Sequence, residues 1–279
     1  MVCGIGLRVD DHSLSLAVVE LTAEKLVVAD YRQLLLRSPR QLIEALAEVR
    51  RCYPAAYPTA VLGIAASHCL VRKFTVRFSE ESKIAQIAHY ESEQYIHSHA
   101  IEDLLTAYHI LGQDQDNTRL LVVAVPKPVI ASALHLVEPH GCYPAVVDID
   151  IMGMVHLAHR YSDPHCRLLL LDIHQGGFQL ALLTAGKIRE LRSTRLQLRS
   201  IADGLAGDLD DTMELDLDAM PDSDNRPVEP DERRQFYERV LRELQRTLLS
   251  KHHVDRIYLS GPGERVDELD DYLHQAVHL

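Results

Sequence analysis

Two stretches of the chain carry residue types that can grip a phosphate and its metal ion. They are VDDHSLSLAVVELTAEK, residues 9–25, and LDIHQGGFQLALLTAGK, residues 171–187. Each ends an apolar run on an Asp, makes a short polar turn and returns as a strand. A carboxylate in that position can hold a hydrated Mg²⁺, and backbone N–H groups in the turn can face a phosphate. The metal candidates are Asp10 and Asp172, both acting through water. The phosphate candidates are Asp10, His12 and Ser13 on the first hairpin and Asp172, His174, Gln175, Gly176 and Gly177 on the second. His12 and His174 place bulk where a tight D-x-G turn has Gly, and Gly176 and Gly177 offset this in part. The competing reading is that Asp10 and Asp172 are turn residues making Asx-type hydrogen bonds. A third turn, YLSGPGERVDEL, sets Gly261 and Gly263 between a strand and a helix. There a backbone can approach a ligand closely, although Pro262 removes one N–H donor.

The two hairpins align without gaps. Asp10 meets Asp172, His12 meets His174, Thr22 meets Thr184 and Lys25 meets Lys187. Such an echo at wide spacing points to two related lobes and not to a solenoid.

The surrounding elements support that division. Three strand-like runs, CGIGLRV, SLSLAVVEL and KLVVADYRQLLL, precede a helix that Ser38 caps and Pro39 opens. Its apolar face is Leu42, Ile43, Leu46 and Val49. AVLGIAA is a short buried strand. From Leu70 to Asp150 the order reads β-α-β-β-α-β, with a helix opened by Ser79 and a last strand PAVVDID. That is the order of a ferredoxin-like module. After the second hairpin, residues 203–232 are acidic and carry three prolines, which predicts a solvated, mobile segment. A long amphipathic helix follows, with Phe236, Val240, Leu241, Leu244 and Leu248 on one side.

Composition narrows the function. The net charge of −12 and the absence of Trp argue against nucleic acid as a partner. The five cysteines are scattered without a C-x-x-C pair, so no disulfide framework or cysteine zinc site is signalled, and a reducing compartment fits. Neither a signal peptide nor an apolar run of spanning length is visible, which predicts no direct membrane insertion. Scattered histidines such as His89, His97 and His99 read as solvated. The acidic segment lacks the spacing of a calcium loop.

Two β-β-β-α halves, each opening on an Asp hairpin, suggest the actin, sugar-kinase and Hsp70 architecture. The ordered set of segments resembles the PilM-type actin-like proteins of type IV pilus biogenesis, including the shorter MshI-type relatives of mannose-sensitive haemagglutinin pili. The stretch IAHYESEQYIHSHAIEDLLTAYHILG carries it most specifically, through Glu91, Glu93, Gln94, Tyr95 and Ile96. LLVVAVPKPVIASALHLVEPHGCYPAVVDID, DIHQGGFQLALLTAGKI and VDRIYLSGPGERVDEL extend it along the chain. The family's phosphate hairpins read D-I-G-S, and both hairpins here lack that Gly. A second register sets Gly6 where the first Asp would stand and Arg8 where its Gly would stand.

The resemblance implies an α/β, actin-like (ribonuclease H-like) fold of two lobes. Residues 1–66 and 151–161 form lobe one, 67–150 an inserted ferredoxin-like βαββαβ module, and 162–279 a reduced lobe two. The implied role is a cytoplasmic adaptor, peripheral at the inner membrane through a partner. That partner is a PilN-like bitopic protein whose N-terminal tail lies in a groove beside the module, at Glu91, Gln94 and Tyr95. Pilus motor ATPases are further candidate partners. ATP and Mg²⁺ are the candidate cofactors, with weak or degenerate binding and no catalytic residue assigned. The rival readings are an active Mg-ATP-dependent ATPase and a GspL-like scaffold of type II secretion.

Overall fold

The computed structural model describes residues 2–9, 13–22, 25–35, 39–54, 60–174, 177–195, 230–248, 253–261, 269 and 271–273. Three sheets organise them.

The first sheet has the order β3-β2-β1-β4-β8. Its strands are β1 (Val2–Val9), β2 (Ser13–Leu21), β3 (Leu26–Leu35), β4 (Ala60–Ile64) and β8 (Val146–Ile149). β1, β2 and β3 form an antiparallel meander, while β4 and β8 run parallel beside β1. Helix α1 (Pro39–Cys52) makes the crossover from β3 to β4. Strand alternation puts Ile5, Leu7, Leu14, Leu16, Val18, Ala60 and Leu62 on one face. Leu42, Ala45, Leu46 and Val49 of α1 cover that face. Ile43, expected on the apolar stripe, is 40% exposed, and Ala45 takes its place in the core.

Sheet three repeats the plan with the order β11-β10-β9-β12. β9 (Arg167–His174), β10 (Gly177–Thr184) and β11 (Lys187–Arg195) form the meander, and α5 (Pro230–Leu248) precedes the parallel strand β12 (Arg256–Ser260). One face buries Leu169, Leu171, Phe178, Leu180 and Leu182 against Phe236, Tyr237, Val240 and Leu244 of α5. Tyr237 joins the expected stripe, and the side chain of Leu248 lies outside the described residues. The opposite face packs against α4 (Ile151–Tyr161) through Val155, Ala158, Leu168, Leu170, Ala181 and Leu183. Both meanders also carry a bulge on the third strand, at Ala29 of β3 opposite Val18 and Val19 and at Arg189 of β11 opposite Leu182 and Leu183. The repeat read from the sequence is therefore a repeat of topology.

Between β4 and β8 the chain forms the module, β5 (Leu70–Val76), α2 (Glu81–Glu91), β6 (Leu104–Gln113), β7 (Thr118–Pro126) and α3 (Lys127–Val137). Glu80, not Ser79, is the residue before the first turn of α2. The chain order continues into β8 as expected, but the pairing does not. The module's sheet holds three strands, β5-β7-β6, and β8 pairs with β4 of the first sheet. The expected module boundary at Asp150 is thus corrected, since Val146–Ile149 belongs to lobe one. Order along the chain does not specify which open edge a strand joins. One face of the module's sheet is covered by Ile84 and Ala88 of α2. Its other face meets β11, where Lys73 pairs with Glu190 and Arg189 Nη1 donates to Leu111 O at 2.7 Å.

Candidate functional site

The strand ends of the two lobes converge on one charged cluster. Arg8 lies on β1 and Asp172 on β9. Asp150 follows β8 and caps α4. Its Oδ1 accepts from Ile151 N at 2.9 Å, from Ala66 N at 3.3 Å and from Gln179 Nε2 at 2.6 Å. Its Oδ2 lies 3.2 Å from Arg8 Nη2, and Asp172 Oδ2 lies 3.3 Å from Arg8 Nη1. The carboxylates are nearly enclosed, with side chains 5% and 6% exposed, against 23% for Arg8. In so dry a place an ion pair is screened far less than on the surface. One guanidinium therefore joins the first sheet, the start of α4 and the third sheet.

Pairing registers explain why an arginine stands there. Arg8 pairs with Ser15, and Asp172 pairs with Gln179, with six residues intervening in each case. Measured from the hairpin turn, Arg8 is the counterpart of Asp172. The gapless alignment that matched Asp10 with Asp172 holds only around the Thr22–Lys25 and Thr184–Lys187 turns. Thr22 lies seven residues beyond Ser15, whereas Thr184 lies five beyond Gln179, so β2 absorbs two extra residues. Neither sequence register put Arg8 in the carboxylate's place.

Asp10, His12, Gln175, Gly176 and Gly263 lie outside the described residues, as do the side chains of Ser13 and His174. Gly177 opens β10 with φ +142° and pairs with His174. Gly261, at φ +143°, follows β12. A Cβ there would come within 2.6 Å of Ile173 O. The close approach that Gly261 permits is to the protein's own strand β9.

Near the cluster, burial pushes the Cys69 thiol up to about 12, helped by the negative charges of Asp150 and Asp148. Among the described residues, no group of three His, Cys, Asp or Glu side chains is arranged to hold a metal ion. Asp172, the expected Mg²⁺ carboxylate, faces a guanidinium. Its donor set as it stands does not fit a divalent cation, because the fixed positive charge of Arg8 lies between the two carboxylates. A pocket of about 100 Å³ opens elsewhere, beside His159, Ser162, Asp163 and Cys166. No residue of the Arg8 cluster lines it, and it is far smaller than the ~300 Å³ or more of a typical ligand site.

Of the three expected partner residues, Glu91 and Gln94 are in direct contact. Gln94 Nε2 donates to Glu91 Oε2 at 3.2 Å. The Tyr95 ring stacks flat on Phe74 at 4.5 Å and keeps 39% of its surface exposed. Arg72 Nε donates to the Tyr95 carbonyl at 2.9 Å. Ile96 and Ile101, both buried, pin the chain that follows. Tyr95 sits against β5, an edge strand whose only partner among the described residues is β7.

No family model matches the chain, and no curated protein matches it in sequence. Solved structures do. The chain is similar to one in the PilM-PilN type IV pilus biogenesis complex, with a TM-score of 0.73 and 18% identity, covering 99% of this chain and 86% of that one. It is also similar to a Bacteroides thetaiotaomicron protein with an actin-like ATPase fold, at a TM-score of 0.52 and 10% identity, over 99% and 89% of the two chains. The fold is actin-like. The cytoplasmic domain of EpsL from Vibrio cholerae matches at a TM-score of 0.48 and 15% identity, over 75% and 79%. Within the actin-like frame, Arg8 and Asp172 are corresponding residues of the two lobes. No helix among the described residues is long and apolar enough to cross a membrane.

Proposed function

We propose that this actin-like protein is an adaptor of a type IV pilus assembly platform, of the MSHA-like kind. It captures the N-terminal cytoplasmic tail of a PilN-like membrane protein and is held at the inner membrane by that contact. The observation that carries this reading is the likeness to the PilM-PilN complex along 99% of the chain. Glu91, Gln94 and Tyr95 supply a surface for capture. An exposed aromatic ring held flat against Phe74 is a rigid apolar anchor, and the open edge of β5 supplies backbone groups to an extended peptide. Pilus motor ATPases are further partners in this reading.

Nucleotide binding is degenerate in the same proposal. Arg8 replaces one of two corresponding hairpin carboxylates and neutralises the other. This disfavours an active Mg-ATP cycle.

The test uses a fluorescent peptide with the N-terminal tail sequence of the PilN-like protein from the same source. Anisotropy should show saturable, micromolar binding to the full chain. Tyr95→Ala should weaken it about tenfold, the loss of about 1.4 kcal/mol. Equal affinity for a scrambled peptide, or no effect at Tyr95, refutes the capture site. A calorimetric titration with ATP and Mg²⁺ should give no Asp172-dependent heat.

A further inference from the structure

The Arg8 cluster has the chemistry of a metal site with an organic cation in it. Asp150 commits Oδ1 to Ile151 N, Ala66 N and Gln179 Nε2 and leaves Oδ2 to the guanidinium. Asp172 presents Oδ2 to the same group. Gln179 is fully buried, and its Oε1 has no hydrogen-bond partner although the Nε2 of the same amide is on Asp150. The two carboxylates are hard oxygen donors of the kind that Mg²⁺ and Ca²⁺ take. The N···O separations of 3.2 and 3.3 Å are longer than the ~2.7–2.9 Å of a tight charge-assisted bond. Arg8 is thus shared between two carboxylates from different elements and forms no close fork with either. Without a cation, two enclosed carboxylates would confront each other across the lobe junction, which low-polarity surroundings disfavour strongly.

We propose that this cluster is a divalent-cation site whose cation is built into the chain. Arg8 takes the place of the metal ion and ties the two lobes together permanently, so the protein neither needs nor takes up Mg²⁺ there. The proposal does not depend on the pilus reading, since it concerns only how the lobes are joined.

The experiment removes the internal cation. In Arg8→Ala, with the full chain, the melting temperature should fall by about 10 °C, as expected on breaking a buried pair. Added Mg²⁺ or Ca²⁺ at about 10 mM should restore on the order of 5 °C, the effect of a ligand well above its Kd. The wild type should shift by less than about 1 °C under the same ions. Mn²⁺ bound to Arg8→Ala should be visible by electron paramagnetic resonance and lost in Arg8→Ala with Asp172→Asn. That double variant should melt above Arg8→Ala, because the excess charge is gone. If Arg8→Ala does not fold alone, refolding on added Mg²⁺ or Ca²⁺ reads the same property. Three results overturn the proposal. One is Asp172-dependent Mn²⁺ binding by the wild type. Another is an Arg8→Ala chain, folded or not, that responds to none of these ions. The third is a double variant no more stable than the single one.

Discussion

Gly261→Ala tests whether the turn after β12 is closed by the protein itself or left open for a ligand. The new Cβ would lie 2.6 Å from Ile173 O, 3.0 Å from Ile173 Cβ and 3.3 Å from Ile173 C. Two of these atoms are backbone of β9, a strand hydrogen-bonded on both sides, so the neighbour cannot turn away. The residue also sits at φ +143°, a region that costs a side-chain-bearing residue ~1–3 kcal/mol. Overpacking adds ~1–3 kcal/mol. A destabilisation of about 3–5 kcal/mol is expected, read from the midpoint of urea unfolding at constant slope. Gly63→Ala is the matched control. Its Cβ would meet Leu7 O at 3.5 Å and Asp150 at 3.6 Å, ordinary contact distances, and its backbone is not in the left-handed region. It should fall within ~1 kcal/mol of the wild type. A Gly261→Ala protein as stable as the control would refute the claim that this glycine serves β9. It would reopen the turn as a ligand contact.

Other perturbations read different parts of the molecule. Burial lowers the His109 imidazole below its ordinary 6.5, and the positive charges of His159, Lys187 and Arg189 lower it further. The unfolded chain takes up that proton first as pH falls, so this contribution to stability is complete above about 6.5. It fades from there down through the lowered folded value. His109→Gln should flatten that part of the stability profile in denaturant titrations between pH 7 and 5, and an unchanged slope would exclude His109 as its source. Exposed Cys52 should be alkylated by iodoacetamide at neutral pH in the native protein. Cys69, buried and with its thiol pushed up to about 12, should react only on unfolding, as peptide mass mapping would show. Leu244→Ala, at a fully buried position of α5, should cost ~2–5 kcal/mol by calorimetry, and a loss below ~1 kcal/mol would mean that α5 is loosely seated on β10.

Much of the fold was legible because its signals are local. The alternation of Leu14, Leu16 and Val18, and of Leu180 and Leu182, is a strand pattern whatever lies above it. Pro39 at a helix start and the Phe236, Val240 and Leu244 spacing are similarly self-contained. Ile43 failed because a stripe's edge is set by the partner surface, which periodicity does not describe. The β8 strand failed for a related reason. Four residues of β propensity fit any open edge, and the edge of β4 was the one available. The site was legible only in part. Asp172 was singled out, while its partners Arg8, Asp150 and Gln179 were not given their roles. One signal was present, since Arg8 interrupts an apolar run and Gln179 sits within another, and buried polar residues in such runs call for a partner.

By itself the sequence determined the two-lobed α/β plan, the order of elements and the position of the repeat, because each rests on spacing within a few residues. The tertiary structure decided which residues of the repeat correspond. The first lobe's β2 holds two extra residues between hairpin and turn, a difference visible only in the pairing. It also decided the charge of the junction. Residues 8, 150 and 172 are far apart along the chain, and only packing of two sheets and a helix start sets a guanidinium between two carboxylates. Electrostatic roles depend on distance and burial, and neither exists until the chain is folded.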